Sequence, residues 1–445
     1  SHFRGGKKVL LKFFKLNLLN LDLVSEQSIH ALIVEIMLTK AILTFLTSKV
    51  VLKRGRTTHN LVLSSRKLGL SGACTDKKLF TPGPLCVSMT TKQAMLRDLG
   101  SRDTEFVDTV KYIRSQLENI SGSNEDAYTC IPIQGSGTFA VESIFQTTVP
   151  RTNAKVLILA NGAYGKRMAA ICRALNIDHH IELFPENEQV SSTRVEELLQ
   201  SDNFSNVSIV HCETSSGVVN PIQDIGRITK EYQPNALYIV DAMSSFGAIP
   251  INMEASNIDF LATSANKCLQ GVPGFAFVIA KVEQLKLCKG QSRSLSLDLL
   301  GQYTALENTG QFRFTPPTHT MLALKQALAE LEEEGGVEGR AKRYQNNCSI
   351  LRDGMSKLGF KEFLSDEHTG YIITSFYMPS DPQFTFTDFY SKLSDLGQVI
   401  YPGKVNDADC FRIGNIGDLS GDDMRHLLMC VKQVCKDMCV KLPLS

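Results

Sequence analysis

The chain has twelve cysteines but no C-x-x-C pair, and its closest group, Cys430, Cys435 and Cys439, lies in a helical pattern beside a lone His426. Zinc folds need paired thiol or imidazole ligands at short spacing, so this pattern argues against a metal centre and for reduced thiols in an intracellular enzyme. Neither Gly-x-Gly-x-x-Gly nor Gly-Lys-Ser/Thr occurs. A nucleotide-binding dehydrogenase or a P-loop enzyme would need one of these fingerprints. There is no internal repeat and no low-complexity tract, which sets aside solenoid and fibrous architectures. Bulk charge is absent too: 47 Lys+Arg against 46 Asp+Glu give a net charge of +1. The chain as a whole therefore has no electrostatic pull toward nucleic acid. A long uncharged apolar run is also missing. The most apolar stretch, residues 29–46, carries Glu35 and Lys40, whereas a membrane-spanning helix wants about 20 apolar residues with few or no charges.

What is present is unevenly spread. Residues 1–78 hold 14 Lys/Arg and 4 Asp/Glu, and the rest of the chain holds 33 and 42. This basic head, acid-poor and dotted with serines, suits an organelle transit peptide or a disordered extension, so the expected compartment is cytoplasmic or mitochondrial. With 445 residues, 43% of them hydrophobic, the chain can bury a large core in two domains.

From residue 79 the pattern becomes regular. Leu79-Phe80-Thr81-Pro82-Gly83-Pro84 is a rigid turn, since proline fixes its own backbone and extends the residue before it. Helical stretches follow at 91–99 and 105–119. Buried-strand runs then alternate with helices. Strands are expected at 155–160, 207–211, 236–240, 258–262 and 274–279, with helices at 166–175 and 222–232. Continuous apolar runs separated by helices predict an α/β fold, a mainly parallel sheet covered on both faces, with ligands at the carboxyl ends of the strands. The helix at 318–334 is broken by Gly335-Gly336. The expected organisation is a basic extension at 1–78, a large domain at 79–335 and a smaller α/β domain at 336–445.

Two of the predicted strand ends carry chemistry. Ala236–Val240 runs into Asp241, and Ile258–Ala262 runs into Thr263-Ser264-Ala265-Asn266-Lys267. A lysine can hold an aldehyde cofactor as a Schiff base, and an acid can keep that cofactor's ring nitrogen protonated. The competing readings are a surface lysine, and a helix cap or metal ligand at Asp241. No second carboxylate stands at metal-site spacing, and Lys267 is flanked by small, rigid residues. Gln134-Gly135-Ser136-Gly137-Thr138 opens a helix after a short apolar stretch. It can cradle a phosphate with Ser136, Gly137 and Thr138, or be a tight turn with an ordinary hydroxyl cap. Tyr164, in the loop after the strand ending at Ala160, can stack on a flat ring or sit half-buried in a surface turn. Glu213-Thr214-Ser215-Ser216-Gly217 offers hydroxyls at a third strand end.

Those stretches, with Val240-Asp241-Ala242-Met243-Ser244-Ser245 and Ser264-Ala265-Asn266-Lys267-Cys268-Leu269-Gln270-Gly271-Val272-Pro273-Gly274, resemble the 2-aminoethylphosphonate–pyruvate transaminase family. These are pyridoxal-phosphate enzymes of fold type I, in the group that also holds alanine–glyoxylate and serine–pyruvate transaminases. The resemblance covers residues 79 to 440. It implies pyridoxal 5'-phosphate held by Lys267, with Asp241 on the pyridine nitrogen and Ser136, Gly137 and Thr138 on the phosphate, helped by Ser264. It implies that Tyr164 stacks on the ring where the alanine–glyoxylate relatives carry tryptophan. It further implies that Thr315 reaches the neighbouring subunit's phosphate in a homodimer, and that Arg412 holds the substrate anion in a ping-pong cycle using 2-aminoethylphosphonate and pyruvate. The alternatives are an alanine or serine transaminase of the same fold and a non-catalytic homologue. For Arg412 a structural ion pair competes. Neither a nucleic-acid nor a membrane partner is expected, and no metal.

Overall fold

The computed structural model describes residues 76–444 apart from 124–126, 404, 406 and 407. The basic head, with its 29–46 run, lies outside the described residues. The described residues belong to one compact unit, Thr75–Ser445. Among them no helix is long and apolar enough to cross a membrane.

A seven-stranded sheet forms the centre, in the order Tyr128–Gln134, Phe275–Lys281, Phe260–Ser264, Leu237–Asp241, Asn206–Val210, Val156–Ala160, His179–Leu183. Val156–Ala160, Asn206–Val210 and Phe260–Ser264 are buried along their whole length. Side chains alternate between the two faces of a strand. Leu157 and Leu159 accordingly join one core with the helices Thr104–Ile120, Ser192–Ser201, Ile222–Tyr232 and Thr318–Glu333. Val156 and Ile158 join the opposite core with Gly137–Thr148 and Ala163–Ala174. Helices thus cover both faces.

One strand departs from the parallel pattern. Phe275–Lys281 runs antiparallel to both of its neighbours. The reason is the connection: residues 265–274 contain no helix, and a parallel return needs a crossover of a dozen or more residues. The sheet's single antiparallel return is therefore the loop that carries Lys267. The edge strand His179–Leu183 was not anticipated, because its His-His-Ile-Glu-Leu sequence is only partly buried and lacks an apolar run.

The tail builds a second, three-stranded antiparallel sheet from Ile373–Tyr377, Cys410–Gly414 and Tyr401–Pro402. It packs with the helices Gly336–Lys357, Phe386–Asp395 and Gly421–Asp437 around their own core. The start of the described chain joins this core. Lys78–Leu79 pairs in parallel with Gln398–Val399, and Phe80 is fully buried among the tail's aromatics. The turn that follows, Thr81 to Pro84, is thereby carried over to the Lys267 loop.

Phe411 organises the tail core. Its ring lies 5.7 Å from Phe360 and Phe376 and 5.6 Å from Phe389, with no exposure. Truncating a buried aromatic removes transfer energy and leaves a cavity. Phe411→Ala is expected to cost about 3–5 kcal/mol, read as a lower urea midpoint with an unchanged slope. A loss under about 1 kcal/mol would contradict this packing.

Candidate active site

The Lys267 loop is held tightly. Lys267 O accepts from Gln270 N (2.7 Å), Gly271 N donates to Ala265 O (2.9 Å), and Gln270 adopts a positive φ of 60°. From the tail, Arg340 Nη1 donates to Cys268 O (2.5 Å), and Gln270 Nε2 donates to Tyr344 Oη (2.6 Å). Arg340 is buried and pairs with Glu334 at 2.6 Å. The lysine therefore projects from a braced turn. Its Nζ donates to Pro82 O at 2.7 Å. Gly83, at φ +120°, lies beside it, and a Cβ there would fall 2.7 Å from Nζ. Only glycine fits both the backbone and the space.

Asp241 ends the neighbouring parallel strand, in register with Ala262. It is 7% exposed. Its carboxylate accepts from Met243 N (3.0 Å). Among the described residues it has no other hydrogen-bond donor, so acceptor capacity remains for a ligand. Burial pushes its carboxyl up to about 6, helped by the nearby Glu213 charge and opposed by the Met243 N–H, Arg167 and Lys267. Burial likewise pushes the Lys267 ammonium down to about 8; Cys268 and Asp241 raise it, while Arg412 and Arg167 lower it further. Both groups thus titrate near neutrality, as proton-transfer groups require.

Asp241 and Lys267 line one cavity of about 210 Å³, far larger than one water. Ser136, Gly137, Thr138, Tyr164 and Ser264 line it as well. Ser136 is the N-cap of the helix Gly137–Thr148 but makes no side-chain capping bond. Phe139 N donates to Ser136 O (2.9 Å), and the Gly137 and Thr138 N–H groups with the Ser136 hydroxyl stay open to an anion. At Gly137 a Cβ would fall 2.3 Å from Met243 Sδ. Two expected site residues lie off this lining. Thr315 is exposed on the surface. Arg412 is fully buried, and its fork is engaged: Nη1 donates to Thr214 O (2.5 Å), and Nε and Nη2 donate to Pro402 O (3.0 and 2.9 Å). It also bonds the Tyr164 hydroxyl, and among the described residues it pairs with no carboxylate.

Two further residues were not foreseen: Met243, within the Val240–Ser245 stretch, and Arg167, within the helix expected at 166–175. Arg167 lines the cavity, sits over the Tyr164 ring at 4.8 Å and donates to Thr138 Oγ1 (3.3 Å). Its spacing from Tyr164, one helical turn, was the available signal. The Ser215 hydroxyl, one of those offered at the third strand end, donates to Glu213 at 2.6 Å.

Residues 88–383 match the profile of the Aminotransferase class-V family. The chain belongs to the class-V aminotransferases. It is 48% identical over 357 residues to the 2-aminoethylphosphonate–pyruvate transaminase of Salmonella paratyphi C, covering 80% of this chain and 96% of that protein. It is 47% identical to the bifunctional phosphonoacetaldehyde hydrolase/aminoethylphosphonate transaminase of Clostridioides difficile, covering 79% of this chain and 55% of that protein. Among solved structures, the ureidoglycine–glyoxylate aminotransferase of Bacillus subtilis superposes with a TM-score of 0.76 at 20% identity, covering 83% of this chain and 95% of that one. That likeness shows the fold.

The class-V family implies pyridoxal phosphate, and the residues present fit it. The cavity offers an uncapped helix start for a phosphate, a buried acid with spare acceptor capacity for a ring N–H, an aromatic face at Tyr164 and an amine of lowered basicity at Lys267.

A pH signature follows for the cofactor-free protein. Between the ordinary 3.8 and about 6, folded Asp241 keeps a proton that the unfolded chain has released. Its contribution is full below pH 4 and is lost as the pH rises to 6, by about 3 kcal/mol. Lys267 works the other way, favouring the fold as the pH rises from about 8 to 10.5. Urea unfolding at pH 4 and pH 6 of wild type and Asp241→Asn is expected to show the wild type losing that stability relative to the variant. Parallel behaviour of the two would contradict the buried-acid assignment.

Proposed function

We propose that this class-V aminotransferase moves the amino group of 2-aminoethylphosphonate to pyruvate, giving phosphonoacetaldehyde and L-alanine. The observation that carries the reading is Lys267 and Asp241 lining one cavity together with the uncapped helix start at Ser136. Identity of 48% across nearly the whole of a transaminase of that name supports the substrate pair.

Pyridoxal phosphate, when bound, supplies a ring that withdraws electrons from the substrate's amine-bearing carbon. The chain supplies the rest. Asp241 holds the ring nitrogen's proton. Ser136, Gly137, Thr138 and the helix N–H groups hold the phosphate, with Ser264 beside them. Tyr164 covers the ring face. Lys267, already less basic than a free lysine, anchors the cofactor, then takes a proton at Nζ and returns it. Its contact with Pro82 O keeps Nζ inside the cavity rather than in solvent. Arg412 holds the phosphonate of the first substrate and the carboxylate of the second, because each anion presents paired oxygens to a guanidinium fork. To do so it exchanges its bonds to Thr214 O and Pro402 O for the substrate. In this reading residues 79–335, apart from the opening Leu79-Phe80 that pack with the tail, form the cofactor domain, and residues 336–445 bring Arg412 to it.

We further propose a homodimer in which Thr315 reaches the neighbouring subunit's phosphate. Thr315 is exposed and outside its own cavity, and its neighbour Phe314 is 51% exposed.

With pyruvate as acceptor, the amino donors 2-aminoethylphosphonate, serine and glycine are to be compared by kcat/KM, alanine being left out because its transfer to pyruvate only regenerates the same pair. The phosphonate is expected to exceed the others by roughly 100-fold or more, because a buried site built for one polar group rejects analogues that leave it unpaired. Turnover of serine without turnover of the phosphonate would reject the assignment. Arg412→Lys keeps the charge but loses the fork, and kcat/KM for the phosphonate is expected to fall roughly 10- to 100-fold. An unchanged value would remove Arg412 from substrate binding.

A further inference from the structure

Helix Ala163–Ala174 begins without a cap of its own. Its N-cap is Gly162, in extended backbone and with no side chain to offer. The first N–H groups of a helix nevertheless need acceptors. Here they come from a loop about fifty residues away. Ala163 N donates to Ser215 Oγ (3.2 Å), and Tyr164 N and Gly165 N donate to Glu213 Oε2 (3.1 and 3.3 Å). Ser215 closes the ring by donating its hydroxyl to Glu213 Oε1 (2.6 Å). Glu213 has no exposure at all. A carboxylate is the group that the positive end of a helix dipole favours; burial pushes the Glu213 carboxyl up, and the donors from Ser215, Gly165 and Tyr164 oppose that push.

The fit is close. A Cβ at Gly162 would fall 2.3 Å from Glu213 Cγ and 2.5 Å from Ser215 Oγ. At Gly165 it would fall 2.6 Å from Ala160 Cβ. The first turn is therefore pinned between the end of the strand Val156–Ala160 and the Glu213 carboxylate. That turn carries Tyr164, and Arg167 follows one turn on, both lining the cavity. Arg167 in turn touches Thr138 at the phosphate-cradling helix.

We propose that Glu213 is a positioning residue for the cofactor: its buried carboxylate clamps the first turn of Ala163–Ala174 so that Tyr164 and Arg167 face the cavity. This rests on the class-V reading of that cavity. Glu213 does not line the cavity, so its action passes through the helix. Two independent changes release the clamp. Glu213→Gln removes the charge and turns an amide toward backbone donors. Gly162→Ala keeps Glu213 but drives a methyl group into it.

Wild type and both variants are to be compared by pyridoxal phosphate titration of the cofactor-free protein, by circular dichroism of the bound cofactor in the visible band, and by thermal melting of the cofactor-free form. Both variants are expected to bind the cofactor roughly 10-fold or more weakly, the loss of a charged hydrogen bond. They are also expected to lose half or more of the induced dichroism while melting within a few degrees of wild type. Wild-type affinity and dichroism in both would overturn the proposal. Variants that fail to fold would overturn it as well, since Glu213 would then be a structural cap. A wild type that takes up no pyridoxal phosphate would instead refute the class-V cavity reading, and this proposal with it.

Discussion

The structure depends on one juxtaposition: an acid and a lysine at the same end of two adjacent parallel strands, both withdrawn from bulk water. Burial penalises each charge, and each charge partly offsets the penalty on the other. The result is an acid less acidic and an amine less basic than in water. The register of Asp241 with Ala262 fixes where the pair meets. The short return to Phe275–Lys281 then fixes the loop from which Lys267 projects. A helical crossover in place of residues 265–274 would give an all-parallel sheet and would not hold the lysine in this tight turn.

Three parts of the chain that are distant in sequence brace this pair. The Pro82-Gly83 turn receives the lysine's Nζ, and it is held there because Phe80 is locked into the tail's core. From the helix Gly336–Lys357, Arg340 holds the Cys268 carbonyl and Tyr344 accepts from the Gln270 side chain. The Thr214 carbonyl and the Tyr164 hydroxyl both meet Arg412. The elements that would bind substrate are thus bonded to those that would bind cofactor, and buried polar networks of this kind act as units rather than as separate pairs.

Much of this was legible in the sequence because it depended on local pattern. The apolar runs ending near Ala160, Val210 and Asp241 marked strands whose carboxyl ends form the site, and the helix Ile222–Tyr232 came out residue for residue. Ser136, Thr138, Tyr164, Ser264, Asp241 and Lys267 share one cavity, as their positions after strands suggested. What stayed hidden depended on long-range geometry. Nothing local says that Phe80 belongs to the tail's core, that Glu213 caps a helix in another βα unit, or that Arg412's fork is bound by Thr214 and Pro402. The edge strand His179–Leu183 was hidden for a different reason: partly exposed strands need no apolar run. The antiparallel return at 265–274 could have been read from loop length alone, because the segment is too short for a crossover.

The most direct measurement is borohydride reduction of the protein loaded with pyridoxal phosphate, followed by peptide mapping by mass spectrometry. One reduced cofactor adduct per chain is expected, on Lys267, with loss of the visible absorption band. An adduct on a different lysine, or none in a protein that binds the cofactor, would contradict it.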